Sequence, residues 1–185
     1  QLEMPLAAEL ARLENDLIGD GWQPIKFAVT PNSTVATIKT AIQNAYAADP
    51  TGVKSVFLLG EVPVPYSGNG VDPAYTNIGW DGHADHGGAW PADVYYADLD
   101  GIYTDVSANN TTPTRPANQN VPGDGKFDQR ELVSPTELAI GRVDFRRLTQ
   151  ATFGTTPIEL MRRYLDKDHN FRVKKYTVAQ KALID

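Results

Sequence analysis

Two histidines and four aspartates crowd the stretch from Gly82 to Gly101, which reads G-H-A-D-H-G-G-A-W-P-A-D-V-Y-Y-A-D-L-D-G. Imidazoles and carboxylates are the side chains that hold metal ions and move protons near neutral pH. Asp81-x-His83-x-Asp85-His86 alternates them at a spacing that can converge on zinc and activate a water for hydrolysis. The alternative is a polar loop in which the same groups bond turns and backbone. His169 is the one further imidazole in the chain.

A second group is carboxylate only: Asp98-x-Asp100-Gly101, Asp105, and Asp124-Gly125-x-x-Asp128-x-x-Glu131. Calcium takes six to eight oxygens from carboxylates, carbonyls and water on flexible loops with glycine at tight turns. Both runs supply that chemistry, with Asp93 beside them, although neither has the twelve-residue EF-hand spacing. The expectation is an irregular structural calcium site drawn from Asp98, Asp100, Asp105, Asp124, Asp128 and Glu131. The competing reading is solvated turns, since Asp-Gly is a common turn signal. For the histidine run, the spacing resembles the metallo-β-lactamase motif with aspartate in place of its first histidine. The β-rich N-terminal portion of that family is missing.

Other candidates carry less chemistry. Asp166, Asp168 and His169 could form an acid/base pair but also suit an exposed helix face with a cationic end. Trp90, Tyr95 and Tyr96 could stack a sugar, or pack the loop onto a sheet. No G-x-S-x-G elbow is present. The chain has no cysteine, so it has neither disulfides nor a thiolate of its own. That composition suits an extracytoplasmic or secreted protein.

The net charge of −6 is unevenly spread. Residues 61–131 hold 11 acids and 3 bases, while residues 132–185 hold 6 acids and 10 bases. A middle segment so acidic repels itself unless cations or basic neighbours neutralise it, and it offers phosphates no surface. Nucleic-acid binding there is not expected. No apolar run approaches the ~18 residues of a membrane span.

The positioning elements are legible from periodicity. Leu6, Leu10, Leu13 and Leu17 mark one helix face ending at Gly19, and Val35, Ile38, Ile42 and Tyr46 mark another after a cap in Pro31-Asn32-Ser33. Ile25–Val29 reads as a strand. The V-F-L-L run within Val53–Gly60 reads as a strand buried on both faces. Helix, strand, helix, strand predicts an α/β layered fold. Residues 61–135 then form a long loop region with only Val94-Tyr95-Tyr96 strand-like, a length that is usually functional or ligand-ordered. Leu138–Val143 reads as a strand. Thr156-Pro157-Ile158-Glu159 spells a capping box opening a helix to about Arg172. Tyr176–Ile184 reads as a further strand. The whole, residues 1–185, reads as one domain or part of one.

Four motifs occur in order: F-L-L-G-E-V-P-V-P-Y (Phe57–Tyr66), A-D-V-Y-Y-A-D-L-D-G (Ala92–Gly101), D-G-K-F-D (Asp124–Asp128) and L-A-I-G-R-V (Leu138–Val143). Together they resemble the N-terminal half of the catalytic domain of gingipain-like cysteine peptidases, over roughly Leu6 to Asp185. The resemblance implies a caspase-like layered fold, incomplete here, with a mostly parallel sheet flanked by helices. It also implies structural calcium, a peptide or protein substrate and an extracytoplasmic location. In that family the catalytic histidine and cysteine lie beyond the strand ending here at Asp185. No catalytic residue is therefore assigned, and a downstream segment or a second processed chain would supply the dyad. The alternatives are a noncatalytic calcium-stabilised binding module, or a zinc-dependent hydrolase using His83, Asp85 and His86.

Overall fold

The computed structural model describes residues 3–30, 32–69, 87–148 and 150–179. In chain order these form α1 (Ala7–Gly19), α2 (Val35–Ala48), β1 (Ser55–Leu59), β2 (Tyr66–Ser67), β3 (Trp90–Pro91), α3 (Val94–Ala97), β4 (Ala139–Val143), α4 (Gln150–Phe153) and α5 (Pro157–Arg172), with a 3₁₀ turn at Pro116–Asn118. β1 pairs with β4. Ala139 N–H bonds Lys54 O at one end and Gly60 N–H bonds Val143 O at the other, so both chains run the same way. A parallel pair flanked by helices is the α/β architecture expected. β2 and β3 form a short antiparallel pair with Tyr66 opposite Pro91.

The chain divides into two compact units. The first comprises Gln1–Thr30, Leu59–Glu61 and Val143–Asp185. Here the leucine stripe works as its spacing requires. Leu6, Met161 and Leu165 form a buried core, lined by Leu10, Leu13, Leu59, Val143, Phe145 and Tyr164. Each such side chain, once buried, contributes on the order of 1.5–3 kcal/mol. Thr156 caps α5 by accepting from Glu159 N–H at 3.2 Å, with Pro157 in the first turn. Along the α1–α5 contact, Glu9 meets Arg162, Arg12 meets Asp166, Asp16 meets His169 and Asp20 meets Arg172. The partners' numbers rise together, so the two helices lie parallel. Asp168 pairs with Arg172 on its own helix. Asp166 and His169 thus face α1 and Asp168 braces Arg172 on α5; each solvent-facing ion pair contributes at most about 1 kcal/mol.

The second unit comprises Pro31–Leu58 and Val62–Arg142. Helix α2 is capped by Thr34, whose Oγ1 accepts from Thr37 N–H at 3.1 Å, one residue after the expected cap. It buries Ile38 and Ile42, and also Lys39. Tyr95 stacks on Phe127 at 4.4 Å between ring centres and meets Tyr103 edge-on at 5.0 Å. The Tyr95 ring therefore packs the acidic loop rather than presenting a sugar platform, and Tyr96, fully buried, presents none either.

Three expected strands differ. Val94–Ala97 is a helical turn: Tyr95 and Tyr96, adjacent in sequence, are both buried, which an alternating strand does not allow on one face. Ile25–Val29 is irregular, with Ile25 58% and Phe27 53% exposed. Residues 176–179 form no strand, and the rest of that run lies outside the described residues. Phe57 in β1 is 45% exposed, so that strand is not buried on both faces.

Candidate metal centre

Helix α3 ends by delivering Asp98 into the interior of its unit, where it is fully buried. Its Oδ1 accepts from Gly101 N–H at 2.8 Å and Ser134 Oγ at 2.6 Å. Its Oδ2 accepts from Tyr103 OH at 3.1 Å and Ser134 N–H at 3.2 Å. Burial alone would raise the Asp98 pKa, but the bonds from Ser134, Gly101 and Tyr103 outweigh it and hold the group below its ordinary value. Gly101 must be glycine here, because a Cβ would overlap the Asp98 carboxylate.

Two more carboxylates converge on Asp98. Asp100 is exposed and meets Ser134 Oγ at 2.7 Å. Glu137 accepts from Leu99 N–H at 2.6 Å. Oxygens of Asp98, Asp100 and Glu137 all lie within 4.8 Å of one another, a cluster that could hold a metal ion. Ser134 has a single hydroxyl proton, yet its oxygen lies within hydrogen-bond reach of two carboxylates. With both ionised, only one of those contacts is a hydrogen bond. Hard oxygens at this density are calcium or magnesium donors rather than zinc donors.

A fixed cation stands nearby. Lys39 Nζ lies 4.3 Å from the Tyr95 ring centre and 4.8 Å from that of Tyr103. Burial lowers its pKa, while Asp98, Glu137 and Asp100 act to keep it charged. An ammonium over two aromatic faces is favourable by the ring quadrupole.

The other expected ligands are engaged in tying the loop together. Asp105 accepts from Gly123 and Gly125 N–H, each at 2.7 Å. Asp124 accepts from Lys126 N–H at 2.9 Å and pairs with its ammonium at 3.0 Å. Asp128 accepts from Thr104 Oγ1, Val106, Ser107 and Ala108 at 2.7–3.1 Å. Asp93 forms a two-pronged pair with Arg142 at 2.7 and 2.8 Å. Glu131 is exposed and outside the cluster. Asp81, His83, Asp85 and His86 lie outside the described residues.

Glu137, Ser134 and Lys39 are absent from the sequence-derived set. A signal exists for two of them. Ser134-Pro135-Thr136-Glu137 has the spelling of a capping box, yet a strand rather than a helix follows it. Its serine and glutamate turn instead to Asp98 and to the Leu99 amide.

A parallel strand pair flanked by helices, with an acid-lined loop between its strands, gives the mixed α/β arrangement of a caspase-like fold. The model of Peptidase family C25 matches residues 24–174, most of the chain, and the chain belongs to that family. This is the gingipain family to which the four motifs pointed. No curated protein and no solved structure matches the chain. Among the described residues no helix is long and apolar enough to cross a membrane.

Proposed function

We propose that the chain is the N-terminal part of the catalytic domain of a gingipain-like cysteine endopeptidase that cleaves peptides or proteins outside the cytoplasm. The observation that carries this reading is the family match over residues 24–174 in a chain with no cysteine. The chain provides scaffold and a cation-binding loop. The histidine and the thiolate come from a downstream segment or a second processed chain, because a cysteine peptidase needs a thiolate nucleophile. The purified 1–185 segment is expected to cleave no peptide, whereas the complete protein is expected to show thiol-sensitive endopeptidase activity. Thiol-independent, chelator-sensitive cleavage by the segment would instead favour the zinc reading. A complete protein that binds calcium and cleaves nothing would favour the noncatalytic module.

The same reading takes calcium at Asp98, Asp100 and Glu137, with Asp105, Asp124 and Asp128 shaping the loop around them. Asp98 and Asp100 share one serine proton, Glu137 converges on both, and the Lys39 ammonium is buried beside them; that excess of negative charge supports a positive guest there. A site filled to about 100 times its dissociation constant adds roughly 2.7 kcal/mol. For a chain of this size that is a rise in Tm of several degrees. Asp100→Asn and Glu137→Gln keep the hydrogen bonds near the site and remove charge, so both should abolish most of the rise. Titration of calcium into chelator-treated protein, followed by thermal unfolding, checks it; no shift at millimolar calcium would refute the site.

A further inference from the structure

We infer that Arg142 is a positioning residue for peptide cleavage, acting through the segment Val62–Pro65. The inference rests on the peptidase reading above. Arg142 is the only charged residue in β4, and its side chain is 15% exposed. Its Nε and Nη2 grip Asp93 at 2.7 and 2.8 Å, just ahead of α3. Nη1 donates to Val62 O at 2.5 Å and Nη2 to Pro63 O at 3.2 Å. Tyr96 OH donates to the same Pro63 carbonyl at 2.8 Å, and Ala92 N–H to Pro65 O at 2.8 Å.

The segment Val62-Pro63-Val64-Pro65 has two prolines, which lack N–H groups and cannot donate to a sheet. Its path is therefore dictated by what its carbonyls accept. Three of those carbonyls are held by donors from β4, α3 and the residue before Asp93. The segment also follows the C-terminal end of β1. In open parallel α/β sheets, ligands bind outside the carboxyl ends of the strands. Apolar packing could hold a strand at least as well as a mostly buried ion pair. What the guanidinium adds is direction: one planar fork aims at a carboxylate and two carbonyls together, which a lysine cannot do. Arg142 thus sets where a chain segment stands at the edge that a substrate would meet, without touching substrate.

The test uses the complete thiol-active protein with a peptide spanning several residues on each side of the scissile bond. Arg142→Gln and Arg142→Lys should lower kcat/KM by about 10- to 100-fold, the cost of a displacement near 1 Å. Alkylation of the nucleophilic thiol by iodoacetamide, and its pH profile, should stay within about twofold, because the dyad is intact. Should the arginine variants fold poorly, Tyr96→Phe removes one bond to Pro63 and leaves the ion pair; it should shift kcat/KM the same way by less. Folded variants with wild-type kcat/KM overturn the inference. So does a parallel fall of alkylation and hydrolysis, which would place Arg142 in the general fold. A wild-type protein with no thiol-dependent hydrolysis is a distinct result: it sinks the peptidase reading, and this inference with it.

Discussion

Asp128→Ala is expected to cost about 2–4 kcal/mol of folding stability at pH 7. The carboxylate accepts from three backbone amides in a row, Val106, Ser107 and Ala108, and from the Thr104 hydroxyl. Ala108 is buried, so its amide has no easy recourse to water once the acceptor is gone. Asparagine would do little better, since one of its two termini presents N–H to N–H. The same residue gives the loop its acid sensitivity. Burial acts to raise the Asp128 pKa, yet the bonds from Ala108, Val106, Thr104 and Ser107 place it far below the ordinary carboxylate range. Asp98 and Asp124 are also held low. A carboxylate with a depressed folded pKa contributes stability that is fully present above its unfolded pKa near ~4. That contribution is lost as pH falls from about 4 toward the folded value. Wild-type stability should therefore drop through this window, and the Asp128→Ala protein should drop less steeply. Denaturant melts at several pH values read both slopes. Parallel slopes would mean that Asp128 carries none of the acid sensitivity.

The elements that sequence displayed well were those whose pattern is local. The α1 stripe, the α5 cap at Thr156 and the apolar run of β1 each state their period within a few residues. The Tyr95-Tyr96 pair misleads because two adjacent aromatics fit a strand by propensity. Tyr95 is buried against Phe127 and Tyr103, and Tyr96 against Tyr95 with its hydroxyl on Pro63 O, a tertiary fact that wins over propensity. Ile25–Val29 has strand-like residues but no ladder partner among the described residues, and β composition without pairing leaves an extended segment.

The acidic loop was half legible. Counting charge shows repulsion that something must offset, and calcium is one answer. Counting charge cannot show that Asp105, Asp124 and Asp128 are already met by amides and a lysine within some twenty residues of chain. The convergence of Asp98, Asp100 and Glu137 is further from view, because Glu137 arrives from the far end of the loop at the start of β4. Lys39 arrives from α2, where a lysine on a helix normally reads as solvated. These are long-range placements set by the chain path, and no local spacing encodes them.

The glycine at position 88 should prove among the least replaceable residues in the loop. Its φ is +93°, a region that a side chain strains. Strain is the smaller part. A Cβ at Gly88 would overlap the Asn118 carbonyl oxygen and come within 2.7 Å of Pro113 Cγ. The first is backbone and the second a buried ring, so neither can step aside cheaply. Moving Asn118 would also break the two bonds that fasten this segment, Ala89 N–H to Asn118 O and Asn118 Nδ2 to Ala89 O, both 2.8 Å. Gly88→Ala should accordingly lose about 3–5 kcal/mol. Gly123 supplies the comparison. Its φ is +83° and no atom lies within 4 Å of where its Cβ would stand. Gly123→Ala therefore isolates the backbone penalty, about 1–2 kcal/mol. The two substitutions make the same chemical change at the same sign of φ, so the gap between them measures the crowding at Asn118. Equal losses in the two proteins, by denaturant unfolding at constant pH, would show that the close approach of Gly88 to Asn118 carries no stability of its own.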